Sequence, residues 1–323
     1  MTAIDDIIIN LINDHVDPTF AMIESRYLND NDDDFIAFAE SELKNLRGLI
    51  SHRTYEGYED RINALKRYKS YIPINSINYE FLSTYKYDLV TVKKRRANGY
   101  YQDFAMIKKF YRIAVIKGMA KGNPFANFKL KKEDTLREFL NKDELLLLHK
   151  LLADEITNEN GEQVKVTNAV KNTLRHFLFC CYTGIRLGDK KAFSAENIED
   201  GRVKLRTNKT GKHIYVPLNE QAKGLLPYIL ARSIKQGTNR IGKDLKECFA
   251  AVGFKKRLSF HCSRHTFAIN CILSGVNIIT VRDWLGHRSV TTTEIYAKIA
   301  MHYSDESMNK MEEFLKPKPV SEN

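Results

Sequence analysis

Several short stretches of the chain hold side chains suited to work on a phosphodiester. In His261-Cys262-Ser263-Arg264-His265, a helix would bring His261 and Arg264, three apart, onto one face. The guanidinium offers a rigid fork of donors to phosphate oxygens, and the imidazole can move a proton. The competing reading is a polar helix start facing solvent. In Thr183-Gly184-Ile185-Arg186-Leu187-Gly188-Asp189, one arginine stands between apolar neighbours, where it costs desolvation free energy unless an anion meets it. Asp189 is the internal candidate, and a purely structural Arg186–Asp189 pair is the alternative. Lys209, in Asn208-Lys209-Thr210-Gly211-Lys212, sits where a turn could deliver it into a groove to protonate a leaving oxygen, with Lys212 as rival. Leu285-Gly286-His287 is followed nine residues later by Tyr296. With 16 tyrosines in the chain, Tyr296 taken alone is as readily a core residue as a nucleophile.

The elements that must position these groups are mostly helical. An apolar helix, Phe177 to Tyr182, stops at Gly184, and another, Ile278 to Trp284, stops at Gly286, a natural C′ residue. Helices are predicted over 141–155, with Asn141 as N-cap and Glu144 three residues on, and over 167–182. Val203 and Leu205 alternate with basic residues over 202–207, and 213–217 alternates again. Two such runs around a Gly-containing turn predict a β-hairpin. From Gln221 onward the pattern is mainly helical.

Upstream, apolar residues from Phe35 to Phe128 recur at three- and four-residue spacing, which predicts a bundle of four or five short helices. Asn123-Pro124-Phe125 ends it, since a residue before proline leaves the helical region. The boundaries are therefore an acidic segment 1–34, a helical domain 35–128, a polar linker 129–136, a second domain 137–316 and a tail 317–323. Short helices over Ile7–Leu11 and Phe20–Leu28 are expected in the first segment. Ser304-Asp305-Glu306 is expected to cap a final helix bearing Met308, Met311 and Leu315.

The net charge of +11 is unevenly spread. Residues 1–40 hold ten acidic side chains and one arginine, leaving +20 on the remainder. A domain that basic suggests a polyanion, most simply nucleic acid. The run Lys93-Lys94-Arg95-Arg96, followed by Tyr100 and Tyr101, is the candidate phosphate contact in the helical domain, a solvated basic run being the alternative. The five cysteines lack paired C-x-x-C spacing and read as small core residues rather than a metal or disulfide framework. No apolar window reaches membrane-spanning length, and the acidic N-terminus is unlike a signal peptide, so a cytoplasmic, nucleoid-associated protein is expected.

Taken together, T-G-x-R, a lysine in a hairpin, H-x-x-R-H, L-G-H and a tyrosine nine residues on resemble the tyrosine recombinase (phage integrase) family. The likeness is strong from Arg137 to Leu315. It is looser over 35–130, where Thr54-Tyr55-x-x-Tyr58 and Asn123-Pro124-Phe125 are similar to that family's SAM-like core-binding bundle. The resemblance implies a mainly α fold with a small β-hairpin or sheet in a mixed α/β catalytic domain. It implies strand cleavage and rejoining through a 3′-phosphotyrosyl link. It gives Arg186, Arg264 and His287 to the phosphate, Tyr296 to nucleophilic attack, Lys209 to the 5′ oxygen, His261 to the tyrosine proton and Asp189 to support of Arg186, while His265 is structural. It implies double-stranded DNA as partner, a homotetramer on two recombination sites with accessory DNA-bending or directionality proteins, a last helix that docks on a neighbouring protomer, and no metal or other cofactor. A type IB topoisomerase and a catalytically inactive DNA-binding protein are the competing functions. Tyr303 is the rival nucleophile.

Overall fold

The computed structural model describes residues 2–13, 18–20, 23, 33–131, 133 and 137–301. The chain forms two compact units, Met1–Thr135 and Leu136–Asn323.

The first unit begins with α1 (Ala3–Asn13), which buries Ile7 and Leu11. The second helix expected in this segment, Phe20–Leu28, falls almost wholly outside the described residues. Among the described residues four further α-helices follow: α2 (Phe35–Asn45), α3 (His52–Tyr68), α4 (Tyr79–Tyr87) and α5 (Ala97–Ile116). Each of the first three of these starts on a side-chain cap, from Asp34, Ser51 and Asn78. Such a cap satisfies amides that have no partner inside the helix. Asp34 also accepts from Ile72 N at 3.0 Å, tying the start of α2 to the segment after α3. The core is Phe35, Leu43, Ile62, Leu65, Leu82, Tyr85, Phe104, Ile107 and Phe110. At twenty residues, α5 is longer than the short helices expected, because its Phe104–Ile107–Phe110–Ala114 stripe is buried along its length.

The basic run lies in this unit, between a π-helical turn over Asp88–Val92 and the start of α5. Its four cations are not equivalent. Arg95 pairs with Asp103 at 2.6 Å, and that carboxylate side chain is 1% exposed; Lys93 pairs with Asp88 at 2.8 Å. Lys94, at φ +48°, and Arg96 are exposed. A buried carboxylate needs its cation, so Arg95 belongs first to the fold.

In the second unit, α6 (Lys142–Leu152) opens on a full capping box between Asn141 and Glu144. Helix α7 (Asn168–Thr183) is the axis. Leu174, Phe177, Leu178, Phe179, Cys180 and Cys181 are all buried, so the helix is covered around its circumference. Around it pack α9 (Glu220–Ala231), α10 (Thr238–Ala251) and α11 (Cys262–Leu273). The expected hairpin is present as β2 (Arg202–Arg206) and β3 (His213–Pro217). A two-residue strand β1 (Ile198–Glu199), which the alternation did not reveal, completes an antiparallel sheet in the order β1-β2-β3. Val203 faces Val216 and Leu205 faces Ile214; these four are buried and their basic neighbours lie outward. The short α8 (Leu187–Lys191), α12 (Ile278–Leu285) and α13 (Thr291–Met301) complete the unit. Cys180, Cys181, Cys248 and Cys262 are buried free thiols, and Cys271 is half-buried. The final helix expected around Met308, Met311 and Leu315, and Tyr303, lie outside the described residues.

Candidate active site

Two glycine stops set the frame. Helix α7 ends on Gly184 in the left-handed region (φ +68°), whose amide bonds back to Cys180 O at 2.9 Å. Helix α12 ends on Gly286 (φ +61°). There Gly286 N meets Asp283 O at 3.0 Å and His287 N meets Arg282 O at 3.1 Å, the paired bonds of a Schellman stop. Arg264, in the first turn of α11, is 2% exposed and donates to both ends: Nη1 to Gly184 O at 2.7 Å, Nη2 to Leu285 O. The last carbonyls of a helix lack intrahelical partners and carry the negative end of its dipole. Arg264 is thus held without a carboxylate. Desolvation and the nearby Arg186 guanidinium bring it down to about 9, so it stays charged at neutral pH.

Arg186 occupies the N-cap position of α8, two residues after Gly184, without a side-chain capping bond. Its Nη1 is buried without a hydrogen-bond partner, and Asp189 Oδ2 stands off at 4.0 Å. Asp189 uses Oδ1 to accept from Asn208 N at 2.8 Å, so the carboxylate also ties the hairpin turn to α8. Burial lowers Arg186, with Asp189 and Tyr296 acting in opposition.

The hairpin turn is strapped to the end of α12. Thr210 Oγ1 donates to Gly286 O at 3.2 Å, Lys212 Nζ to His287 O at 2.9 Å, and Arg288 Nη2 to Thr210 O at 3.3 Å. Lys212 is therefore an anchor, and Lys209 beside it is exposed. The Lys209 charge is nonetheless felt at His261 and His287.

Tyr296, on α13, is 2% exposed. Its Oη lies 3.1 Å from His265 Nδ1 and accepts from Arg137 Nη1 at 3.4 Å. The His287 ring stacks alongside it at 6.3 Å and 16°, with Nδ1 held by Thr293 Oγ1 at 2.9 Å. Burial first, and then the surrounding cations, lower His287 to about 3. Burial, His261 and the nearby arginines do the same to His265. His261 is exposed at the N-cap of α11 and packs edge-on against His265 at 4.6 Å. Desolvation and its cationic neighbours lower it too.

Every predicted catalytic residue is thus in this unit, the basic run expected to touch phosphate lies in the first, and Arg186, Arg264, His287 and Tyr296 lie close together. Two partners of Tyr296 differ from expectation. His265 was read as structural, yet it touches Oη; His261 and His265, four apart, share a helix face, while Arg264 turns inward. Arg137 marks only the start of a unit in the sequence, and it lies outside regular secondary structure, where no periodic or motif signal falls. Among the described residues, no group of three His, Cys, Asp or Glu side chains is placed to hold a metal ion. No helix among them is long and apolar enough to cross a membrane.

Comparison with known proteins gives the site a context. The model of the phage integrase family matches residues 138–302, and that of the phage integrase SAM-like domain matches 34–130. A relative, tyrosine recombinase XerC of Lactobacillus delbrueckii subsp. bulgaricus, is 24% identical over 290 residues, covering 81% of this chain and 93% of that protein. Among solved structures, a lambda integrase (75-356) dimer bound to a COC′ core site aligns with a TM-score of 0.66 at 20% identity, over 80% of this chain and 94% of that one. A lambda integrase tetramer bound to a Holliday junction aligns at 0.65 and 19%, over 80% of this chain and 76% of that one. These two structures share the fold.

Proposed function

The chain belongs to the phage integrase family of tyrosine recombinases, enzymes that cleave and rejoin DNA strands, and from that premise we propose that Tyr296 is its nucleophile in site-specific recombination of double-stranded DNA. The Tyr296 oxygen attacks the scissile phosphorus, a phosphotyrosyl bond forms at the 3′ side, and the bond to the 5′ oxygen breaks. Rejoining reverses these steps, with a 5′ hydroxyl attacking the phosphotyrosyl ester. The ester's free energy is conserved, and no nucleotide is consumed.

The observation that carries this reading is the state of the two arginines beside Tyr296. Arg264 is satisfied by backbone carbonyls alone, and Arg186 buries an Nη1 with no partner. Two desolvated guanidiniums with one carboxylate at 4.0 Å leave positive charge for an anion, and a phosphodiester moving toward five-coordinate phosphorus fits that demand. His287, pinned by Thr293, donates to the same phosphate. Lys209 protonates the leaving 5′ oxygen, and His261 takes part in removing the Tyr296 proton through His265. Asp189 holds the hairpin and Arg186 in register.

DNA is the partner, contacted through Lys94 and Arg96 of the first unit as well as through the site. The working assembly is a homotetramer on two recombination sites, and the protein is cytoplasmic and nucleoid-associated. Tyr296 is 2% exposed, so the phosphodiester reaches it only when the side chains packed around it give way. The test is covalent capture: the full chain is incubated with a random-sequence library of nicked duplexes and run on a denaturing gel. Wild type gives a protein–DNA adduct and Tyr296→Phe gives none; an adduct from the variant removes Tyr296 from the role.

A further inference from the structure

Among the described residues, Arg137 is the guanidinium that hydrogen-bonds the Tyr296 oxygen, whereas Arg264 is engaged with backbone carbonyls and Arg186 stands near Asp189. Its Nη1 is 3.4 Å from Tyr296 Oη, and its Cζ lies 5.5 Å from the centre of the Tyr296 ring. Among the described residues, no carboxylate is in ion-pair range of it. The family match begins at residue 138, so Arg137 is not among the positions that match covers.

The hydrogen-bond arithmetic at Oη is informative. A guanidinium has donors and no acceptors, so Tyr296 Oη accepts from Arg137. The phenol proton is then free to point at the other neighbour, His265 Nδ1, 3.1 Å away. One lone pair remains for phosphorus. A positive charge this close favours the phenolate over the phenol, and loss of the proton to the imidazole side strengthens the bond to Arg137 instead of breaking it. Hydrogen bonds in a site without substrate are commonly long and shorten in the reacting complex.

Resting on the assignment of Tyr296 as nucleophile, we propose that Arg137 is a catalytic residue that activates Tyr296, holding its oxygen and stabilising the phenolate that attacks phosphorus. Arg186 and Arg264 serve the phosphate, and Arg137 serves the nucleophile. The charged and titratable groups facing the Tyr296 phenol are Arg137 from the segment before α6, His265 and Arg264 from α11, His287 after α12, and Arg186 before α8, with His261 behind His265. Replacing Arg137 alone changes one of them.

The experiment places 3-fluorotyrosine at position 296 of the full chain and follows its ¹⁹F resonance through a pH titration, without DNA. In Arg137→Ala and Arg137→Gln the titration midpoint rises by about one pH unit relative to the parent, and Arg137→Lys recovers part of the difference. Glutamine keeps a donor and drops the charge, so it covers the case in which the alanine variant fails to fold. In parallel, adduct formation on the random-sequence nicked-duplex library falls about tenfold in Arg137→Gln at neutral pH, and the deficit narrows as pH rises. A midpoint that stays put or falls overturns the proposal, even where adduct yield drops. Adducts from Tyr296→Phe would instead remove the nucleophile assignment, and the fluorine titration would still report whether Arg137 acts on Tyr296.

Discussion

Arg264 Nη1 donates to Gly184 O at 2.7 Å, so the guanidinium proposed to bind the phosphate is positioned by the stop of the central helix. The glycine is needed twice over. Its φ of +68° disfavours any L side chain, and a Cβ built there would sit 2.5 Å from Phe267 Cδ1 and 3.0 Å from Leu285 Cδ2. Gly253, at φ +73°, has nothing within 4 Å of such a Cβ. Gly253→Ala is expected to cost about 1 kcal/mol, the backbone term alone. Gly184→Ala is expected to add about 1–3 kcal/mol of overpacking and to displace Arg264. Urea denaturation of the two variants measures the difference. Equal midpoints would show that the Phe267 contact relaxes without cost.

Asp189 makes two separable contributions, charge beside Arg186 and an acceptor for Asn208 N. Asp189→Asn keeps an amide oxygen for the hairpin and removes the charge. Asp189→Ala removes both. The Asn208 amide is therefore expected to exchange with solvent at a near-parental rate in the asparagine variant and at least tenfold faster in the alanine variant. Both variants lose adduct formation. Equal exchange in all three proteins would detach the hairpin from Asp189.

His265 and His287 are brought from the ordinary 6.5 to about 3, chiefly by burial. The folded-state value is the lower one, so between about pH 3 and 6.5 the unfolded chain binds more protons than the folded chain. The stabilisation is complete above pH 6.5 and is lost progressively on acidification. Each group contributes a slope of up to about 1.4 kcal/mol per pH unit in that window. The denaturant midpoint is expected to be flat from pH 8 to 7 and to fall from pH 6.5 to 5. His287→Gln, which carries no titrating group at that position, should make the acid limb shallower, with His265 and His176, itself brought down to about 4 chiefly by burial, still contributing. An unchanged acid limb in that variant would place the titration elsewhere.

Much of this arrangement was legible in the sequence because it rests on local rules. Gly184 and Gly286 follow apolar helices and stop them; Asn141 and Glu144 form the capping box; Val203 and Leu205 alternate against Ile214 and Val216. What escaped is non-local or depends on helix phase. Arg137 reaches Tyr296 across 159 residues of sequence from a segment outside regular secondary structure, where no period marks a functional side chain. The family resemblance makes His265 structural, yet its Nδ1 lies 3.1 Å from Tyr296 Oη. The four-residue spacing of His261 and His265 was the available signal, and their rings do meet at 4.6 Å. The division of Lys93–Arg96 into paired and exposed cations required Asp103, seven to ten residues further on, to be seen buried.

Lys209 and Lys212 were rivals by position, and their surroundings now separate them. Lys212 Nζ is engaged with His287 O at 2.9 Å, whereas Lys209, equally exposed in the turn, makes no such bond among the described residues. Lys212→Ala is expected to lower stability by about 1.5 kcal/mol, the worth of a hydrogen bond to a charged donor at the lower end of its range, and to loosen the His287 segment. Lys209→Ala should leave stability within about 0.5 kcal/mol of the parent, as for an exposed substitution, and should slow cleavage by 100-fold or more, about the contribution of a general acid. A duplex with sulfur in place of the bridging 5′ oxygen discriminates further. A thiolate leaves without protonation, since its conjugate acid is far stronger than an alcohol. The sulfur substrate should therefore restore cleavage by Lys209→Ala and leave the Lys212→Ala defect in place. Rescue of Lys212→Ala instead would transfer the proton donor to the anchored lysine.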